Sequence, residues 1–130
     1  MEHYTKNFSA LELRCKCEVC RREEPHQIPE YIVEKLQSIR DLIGIPLTLS
    51  SAYRCENHPS EMMKAVPGSH NRGAFDIKCP DGALGYKIMV LALELGATGI
   101  GFSLANKDRS KRFIHIDFDP SRTTPVVWSY

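Results

Sequence analysis

The chain has 130 residues and a formal net charge of +1, which is the length of one ordinary domain with no excess of positive charge. This balance argues against nucleic acid or an anionic membrane surface as a partner. No apolar run approaches the roughly 20 residues that cross a bilayer, and the polar start 1-MEHYTKNFSA-10 is not a signal peptide. We therefore expect one domain over residues 1–130 that is made in the cytoplasm.

The first half of the chain predicts two helices, a strand and a loop. Ser9 and Glu12 have capping-box spacing, so a short helix is expected to begin there. A longer helix is predicted over residues 28–44, where the apolar residues recur on one stripe. The segment 46–54 predicts a strand, and the polar segment 56–68 predicts a loop.

The second half predicts strands on both sides of one more helix. Residues 75–79 indicate a strand, residues 83–96 a helix, and residues 98–103 and 112–118 two further strands. Early helices followed mostly by short strands are typical of an α+β fold. We expect a small, mostly antiparallel sheet flanked by helices.

The predicted strand over residues 112–118 carries two polar residues on one face. Successive side chains of a strand point to opposite faces, so His115 and Asp117 share a face with Phe113. The other face is apolar and is expected to pack on the core; it carries Ile114, Ile116 and Phe118. His115 and Asp117 therefore point together away from the core.

The stretch 69-SHNRGAFDIKC-79 places His70 and Asp76 on either side of a turn that contains Gly73. Together with His115, these residues offer two nitrogen ligands and one oxygen ligand. Three protein ligands with an open fourth position are the pattern of a catalytic zinc ion. Taken singly, each residue is as readily explained as a surface, core or turn residue, and spacing alone leaves both interpretations open.

Five cysteines are present, and three of them crowd into 15-CKCEVC-20. In a reducing cytosol they are expected to be free thiols or metal ligands rather than disulfides. A structural zinc site needs four ligands, and His26 is a candidate for the fourth. We favour buried or half-exposed thiols, with a second metal site as the alternative. The remaining cysteines are Cys55 and Cys79.

Three segments of the chain resemble the signature segments of the zinc D-alanyl-D-alanine carboxypeptidase family, metallopeptidase family fifteen. They are 50-SSAYRC-55, 68-GSHNRGAFDI-77 and 112-RFIHID-117. This family shares its fold with the signalling domain of hedgehog proteins, so the resemblance implies a hedgehog/DD-peptidase-like fold. It extends over nearly the whole chain, since 8-FSALELRCKC-17 and 125-PVVWSY-130 are similar to short bacteriophage members.

The resemblance implies a role for each matched polar residue. It makes Arg54 the arginine that meets the substrate carboxylate or the developing oxyanion, with a surface salt bridge as the alternative. Ser51 and Tyr53 are expected to shape that wall of the substrate site, although simple core packing is an equal alternative for Tyr53. The ligands of the Zn²⁺ cofactor are implied to be His70, Asp76 and His115.

Two features depart from the family pattern. His70 and Asp76 are six residues apart, whereas the family pattern has seven. The positions at which many members carry the catalytic base are Arg112 and Phe113 here, and neither side chain accepts a proton at neutral pH. Asp117 is the nearest acidic group, and it either takes the proton as the catalytic base or orients a ligand.

The resemblance implies a zinc-dependent peptidase acting on the stem peptides of peptidoglycan. The expected reaction is that of a D-Ala-D-Ala carboxypeptidase or an L-Ala-D-Glu endopeptidase. Short members of this kind fit a phage-encoded lysis factor that reaches the wall after release, or a virion-associated factor with virion proteins as candidate partners. The alternative is a catalytically inactive metal-binding or assembly module of the same fold.

Overall fold

The computed structural model describes residues 2–66 and 68–130 and has an α+β architecture, as predicted. Within these two ranges, five strands form a single sheet in the order β1-β2-β4-β3-β5. Neighbouring strands are antiparallel except for β3 and β5, which are parallel. The strands are β1 Leu49–Ser51, β2 Ala74–Lys78, β3 Gly99–Ser103, β4 Phe113–Asp117 and β5 Val126–Ser129.

The described residues contain three α-helices beside the sheet: α1 Ala10–Leu13, α2 Glu30–Ile43 and α3 Gly82–Glu94. The capping box predicted before α1 is present, because the Ser9 hydroxyl accepts from the Glu12 N–H while Glu12 accepts from the Ser9 N–H. The apolar stripe of α2 is buried as predicted, and α2 ends at Gly44 in a left-handed conformation. None of the helices within the described residues is long and apolar enough to cross a membrane.

One face of the sheet lies on the core, and the opposite face carries the polar residues. Helix α2 packs against α3, and α3 contacts β4. Side chains of β2 and β4 that point to this side are fully buried: Phe75, Ile77, Ile114 and Ile116. Because side chains alternate, Asp76 and His115 point to the other face. The predicted alternation of β4 is therefore confirmed.

Strand β1 is shorter than the predicted strand over residues 46–54. Its pairing with β2 contains a bulge between Leu49 and Ser51, and the backbone then leaves the sheet. The Tyr53 N–H donates to the Leu13 carbonyl and the Arg54 N–H donates to the His70 carbonyl. These hydrogen bonds replace the sheet ladder and end the strand.

Strand β5 was not predicted from the sequence. It lies at the edge of the sheet and its side chains are exposed or half-buried, so it shows no alternation of apolar and polar residues. The predicted loop over residues 56–68 consists of turns where it is described; position 67 lies outside the described residues. A 3-10 turn, Ser69–Asn71, then leads towards β2.

Candidate metal centre

Strands β2 and β4 place Asp76 directly opposite His115. Asp76 Oδ1 lies 3.0 Å from His115 Nδ1, and both side chains are buried. Directly opposed residues on adjacent antiparallel strands have neighbouring side chains on one face. The alternation of each strand and their register are therefore sufficient to form this pair.

His70 approaches the pair from the 3-10 turn. Its Nδ1 lies 2.7 Å from the Ala52 carbonyl oxygen, and its Nε2 lies 3.3 Å from Asp76 Oδ1. Although Oδ1 is near, His70 Nε2 is buried and makes no hydrogen bond. Buried polar atoms without a partner are rare and call for an explanation such as an ion.

The tautomers show that this arrangement fits a metal ion. A carbonyl oxygen only accepts, so His70 Nδ1 donates to Ala52 and a neutral His70 carries its lone pair on Nε2. A lone pair facing a carboxylate oxygen is repulsive unless a cation or a proton lies between them. One nitrogen or oxygen atom from each of His70, Asp76 and His115 lies within 4.8 Å of the others, and such a set suits Zn²⁺.

The short spacing between His70 and Asp76 is accommodated outside the strand. His70 lies in the turn, β2 begins at Ala74, and Asp76 keeps the face that the alternation requires. Gly73 connects the two parts with a φ of 149°, a value that side-chain-bearing residues rarely adopt. A Cβ atom at Gly73 would lie 2.6 Å from Ile32 Cδ1. Gly73 thus permits the shortened connection both by its backbone angle and by its lack of a side chain.

Asp117 lies behind His115, on the side of the imidazole away from Asp76. Its Oδ2 is 2.8 Å from His115 Nε2 and 3.1 Å from Arg122 Nη2. Burial opposes ionisation of Asp117, but the hydrogen bond with His115 and the charge of Arg122 lower its pKa. Burial likewise opposes a charged His115, yet hydrogen bonds to Asp117 and Asp76 raise its pKa. This geometry favours the orienting role for Asp117, because such partners fix the tautomer of a metal-binding histidine.

Arg54 holds the second oxygen of Asp76. Its Nη2 lies 3.2 Å from Asp76 Oδ2, and its Nε donates to the Ser51 hydroxyl at 3.0 Å. On the other side, Nη1 is 3.7 Å from Glu61, a buried carboxylate that the sequence did not single out. Burial alone would raise the pKa of Asp76, but the hydrogen bond with His115 and the nearby His70 imidazole hold it below its usual range. The guanidinium therefore forms a part-buried network at the triad rather than a surface salt bridge.

Tyr53 packs beside three of the cysteines. Its side chain is buried and lines a cavity together with Cys15, Cys20 and Cys55. The structure thus supports core packing for Tyr53 rather than a place on the substrate wall.

Trp128 lies beside the triad although the sequence did not indicate it. Its ring centroid is 4.9 Å from that of His115, and a Cβ at Gly101 would lie 2.6 Å from its Cε2. The register places Gly101 between His115 on β4 and Trp128 on β5. A glycine within a strand often marks such a close approach, so 98-TGIGFS-103 contained a signal for this contact.

The cysteines form a second cluster with a member that the sequence did not predict. Ligand atoms of Cys15, Cys17, Cys20 and Cys55 lie within 4.8 Å of one another, and all four side chains are buried. His26 is not part of it, so its prediction as the fourth ligand is wrong. Its Nε2 donates to the His3 carbonyl and its Nδ1 accepts from the Ile28 N–H, which leaves neither ring nitrogen free.

A mixed sheet that presents two buried histidines and a carboxylate to one point is the arrangement of a metal-binding protein. The family model described as Peptidase M15 matches residues 6–117, and the chain therefore belongs to this family of metallopeptidases. No curated protein and no solved structure matches the chain. The resemblance to metallopeptidase family fifteen is confirmed at the level of the family.

Proposed function

We propose that the chain is a zinc-dependent peptidase that cleaves the stem peptides of peptidoglycan, as a D-Ala-D-Ala carboxypeptidase or an L-Ala-D-Glu endopeptidase. Membership of the Peptidase M15 family supports the reaction class. The observation that carries the proposal is the buried, unpartnered His70 Nε2 facing Asp76 and His115. The peptidoglycan substrate and a role in phage-encoded lysis or on the virion rest on the resemblance of the three sequence segments.

The protein groups prepare the site in three ways. The Ala52 carbonyl and Asp117 accept from the outer nitrogens of His70 and His115. In their neutral forms, which metal binding requires, both imidazoles would then present a lone pair to the same point. Asp76 contributes the negative charge, and Arg54 fixes its other oxygen. When bound there, zinc supplies a Lewis acid that activates water and polarises a peptide carbonyl.

Arg54 is the group in this network best placed to meet the substrate. Its side chain is 20% exposed, whereas the Asp76 and His115 side chains are 8% and 3% exposed. An accessible guanidinium beside the metal ligands can donate to a terminal carboxylate or to an oxyanion formed at the carbonyl. Ser51 keeps Arg54 in position by accepting from its Nε.

The alternative is a catalytically inactive metal-binding or assembly module. It is favoured by the residues at the usual base positions, Arg112 and Phe113, and by the engagement of both Asp117 oxygens with Arg122. In that case the proton at His115 Nε2 serves to orient the ring alone. Hydrolysis of peptidoglycan distinguishes the two functions directly.

The test compares the wild-type chain with His115→Ala and with the control His3→Ala, which alters a histidine away from the triad. Zinc content is measured on each purified protein, together with the release of amino groups from purified peptidoglycan. We expect His115→Ala to lose about one zinc ion per chain and all hydrolysis, and His3→Ala to keep both.

Two results would contradict the proposal in different ways. Wild-type zinc content that His115→Ala lowers, with no hydrolysis of any peptidoglycan tested, would favour the inactive module. Equal zinc content in the wild type and His115→Ala would remove the triad as a metal site.

A further inference from the structure

We propose that Cys15, Cys17, Cys20 and Cys55 bind a second, structural zinc ion through four thiolates. This site consists of other residues than the histidine triad, and its existence does not depend on whether the chain is a peptidase. It ties the irregular segment that follows α1 to the segment that follows β1.

The sulfur positions fit a tetrahedral ion. Cys55 Sγ lies 3.6 Å from Cys15 Sγ, 3.6 Å from Cys17 Sγ and 3.2 Å from Cys20 Sγ. A Zn–S bond of about 2.3 Å in a regular tetrahedron separates the sulfurs by about 3.8 Å. The four atoms are thus already near the spacing that the ion requires, with a small expansion on binding.

Disulfide formation explains the cluster less well. A disulfide brings two sulfurs to about 2.05 Å and uses cysteines in pairs, whereas the chain's five cysteines are all free thiols. Cys55 is at a similar distance from three partners, so no single pair is selected. A four-coordinate ion accounts for all four residues at once.

The backbone around the cysteines has the features of a thiolate site. Cys17 and Cys20 have the Cys-x-x-Cys spacing that is common among zinc ligands, and the Cys20 N–H donates to Cys17 Sγ at 3.4 Å. Such a donor stabilises a charged sulfur more than a neutral one. The Cys20 thiol donates to the carboxylate of the exposed Glu24 at 3.5 Å, and metal binding would displace this thiol proton.

The segment that carries the first three cysteines has no regular secondary structure of its own. Between α1 and α2 it contains turns but no helix or strand. Directly after Cys20, Arg21 and Arg22 both have positive φ angles of 49° and 59°, which side-chain-bearing residues adopt at a cost. An ion bound to Cys55, more than thirty residues away in sequence, would hold this conformation.

The closed ligand set identifies the role as structural. Four protein ligands leave no position for water or substrate, in contrast to the three of the histidine triad. A tetrahedral set of four thiolates suits zinc or iron. We assign zinc because it has no redox chemistry and is the ion of closed, four-cysteine structural sites.

The test measures the metal content of reduced, purified protein and of three variants. Wild type and Cys79→Ser should each contain about two zinc ions, and Cys55→Ser and His115→Ala about one. Cys79 is a matched control because it is buried but lies outside the cluster, where its thiol donates a hydrogen bond to the Asp81 carbonyl. Cobalt substitution should give thiolate-to-metal charge-transfer absorption in His115→Ala and none in Cys55→Ser.

A second measurement avoids any cysteine variant, which is useful if Cys55→Ser fails to fold. A thiol-specific mercurial added to His115→Ala should release its remaining zinc as the thiols react, and a chromogenic chelator reports the release. Release during thiol modification supports the site. No release, iron in place of zinc, or a disulfide among these cysteines in the native protein would overturn it. Loss of peptidase activity in His115→Ala alone leaves this result unaffected, so the two proposals fail separately.

Discussion

His115 is held between two carboxylates, Asp76 at Nδ1 and Asp117 at Nε2, with distances of 3.0 and 2.8 Å. The two acids have different surroundings. Asp76 also faces His70 and Arg54, whereas Asp117 is fully buried and paired with Arg122. The first is therefore placed to bind a metal and the second to orient the imidazole.

Replacing Asp117 tests which of its two roles is correct. If Asp117 orients His115, Asp117→Asn should weaken zinc binding by roughly 10- to 100-fold and regain most activity at saturating zinc. We would measure zinc affinity by chelator competition and kcat at saturating metal. Asp41→Asn, at an exposed aspartate of α2, is the control. A kcat that stays at least roughly 100-fold low in saturating zinc would instead make Asp117 the catalytic base.

Arg54→Lys should separate metal positioning from substrate binding. Lysine lacks the fork that joins Asp76 and Ser51, so we expect weaker zinc binding together with a lower kcat/KM. At saturating zinc, the remaining loss should be roughly 10- to 100-fold, the value of a charged hydrogen bond. Arg109→Lys is an exposed control.

The same variant should also be tested on substrates with and without a free terminal carboxylate. If Arg54 binds this group, a substrate with an amidated C-terminus should be cleaved equally by the wild type and Arg54→Lys. An equal loss for both substrates would place the guanidinium at the oxyanion, and no loss for either would remove Arg54 from the site.

The shortened connection between His70 and Asp76 should depend on Gly73. Gly73→Ala introduces a Cβ that would lie 2.6 Å from Ile32 Cδ1 at a φ of 149°, so we expect a loss of at least about 2 kcal/mol in the free energy of unfolding. Ile32→Val removes the Cδ1 atom. In urea unfolding, the double variant should then lose less free energy of unfolding than the two single variants lose in sum.

A suitable control for this cycle is Gly82→Ala, because nothing lies within 4 Å of its Cβ position and its φ is not restrictive. We expect its stability to stay within about 0.5 kcal/mol of the wild type. Strictly additive losses for Gly73 and Ile32 would show that backbone strain alone, and not the contact, makes glycine necessary.

The ion pair between Arg72 and Asp119 should make stability depend on pH. Burial opposes ionisation of Asp119, but its hydrogen bonds with Arg72 and Ser121 lower its pKa from 3.8 to about 2. Because folding lowers the pKa of Asp119, its ionised carboxylate stabilises the fold fully above about pH 3.8. This stabilisation disappears as the pH falls through about 2. The shift corresponds to about 2 kcal/mol at pH 7.

The measurement is urea unfolding of the wild type and Asp119→Asn at pH 7 and pH 3. We expect the free energy of unfolding of the wild type to exceed that of Asp119→Asn by about 2 kcal/mol at pH 7 and by roughly half of that value at pH 3. Asp41→Asn serves as the exposed control. A difference that stays constant with pH would indicate that Asp119 acts through packing and not through its charge.

Much of the fold was predictable because local patterns determine it. The apolar stripe of α2, the capping box at Ser9 and the alternation of β4 each depend on residues close in sequence. The positions of the triad residues were predictable for a related reason, although only the family resemblance singled them out as metal ligands. Asp76 and His115 lie on strands whose faces follow from alternation, and Gly73 marks the turn that brings His70 to them.

The features that were missed depend on contacts between distant segments. Cys55 joins the cysteine cluster only because the backbone turns after β1, and no local pattern encodes that turn. Trp128 lies on an exposed edge strand without alternation. The packing of Tyr53 could not be predicted for the same reason, since it depends on where the chain leaves the sheet.

Arg54 and Cys55 are consecutive residues, and they belong to different clusters. Arg54 holds the carboxylate of the histidine triad, while Cys55 is the sulfur that the other three cysteines surround. With metal in both places, one stretch of backbone would connect the two ions, and by reciprocity any effect of one ion on its neighbour's binding would be returned to the same extent. Stepwise removal of zinc with a chelator would then report on both sites, although the sulfur-bound ion never touches the substrate.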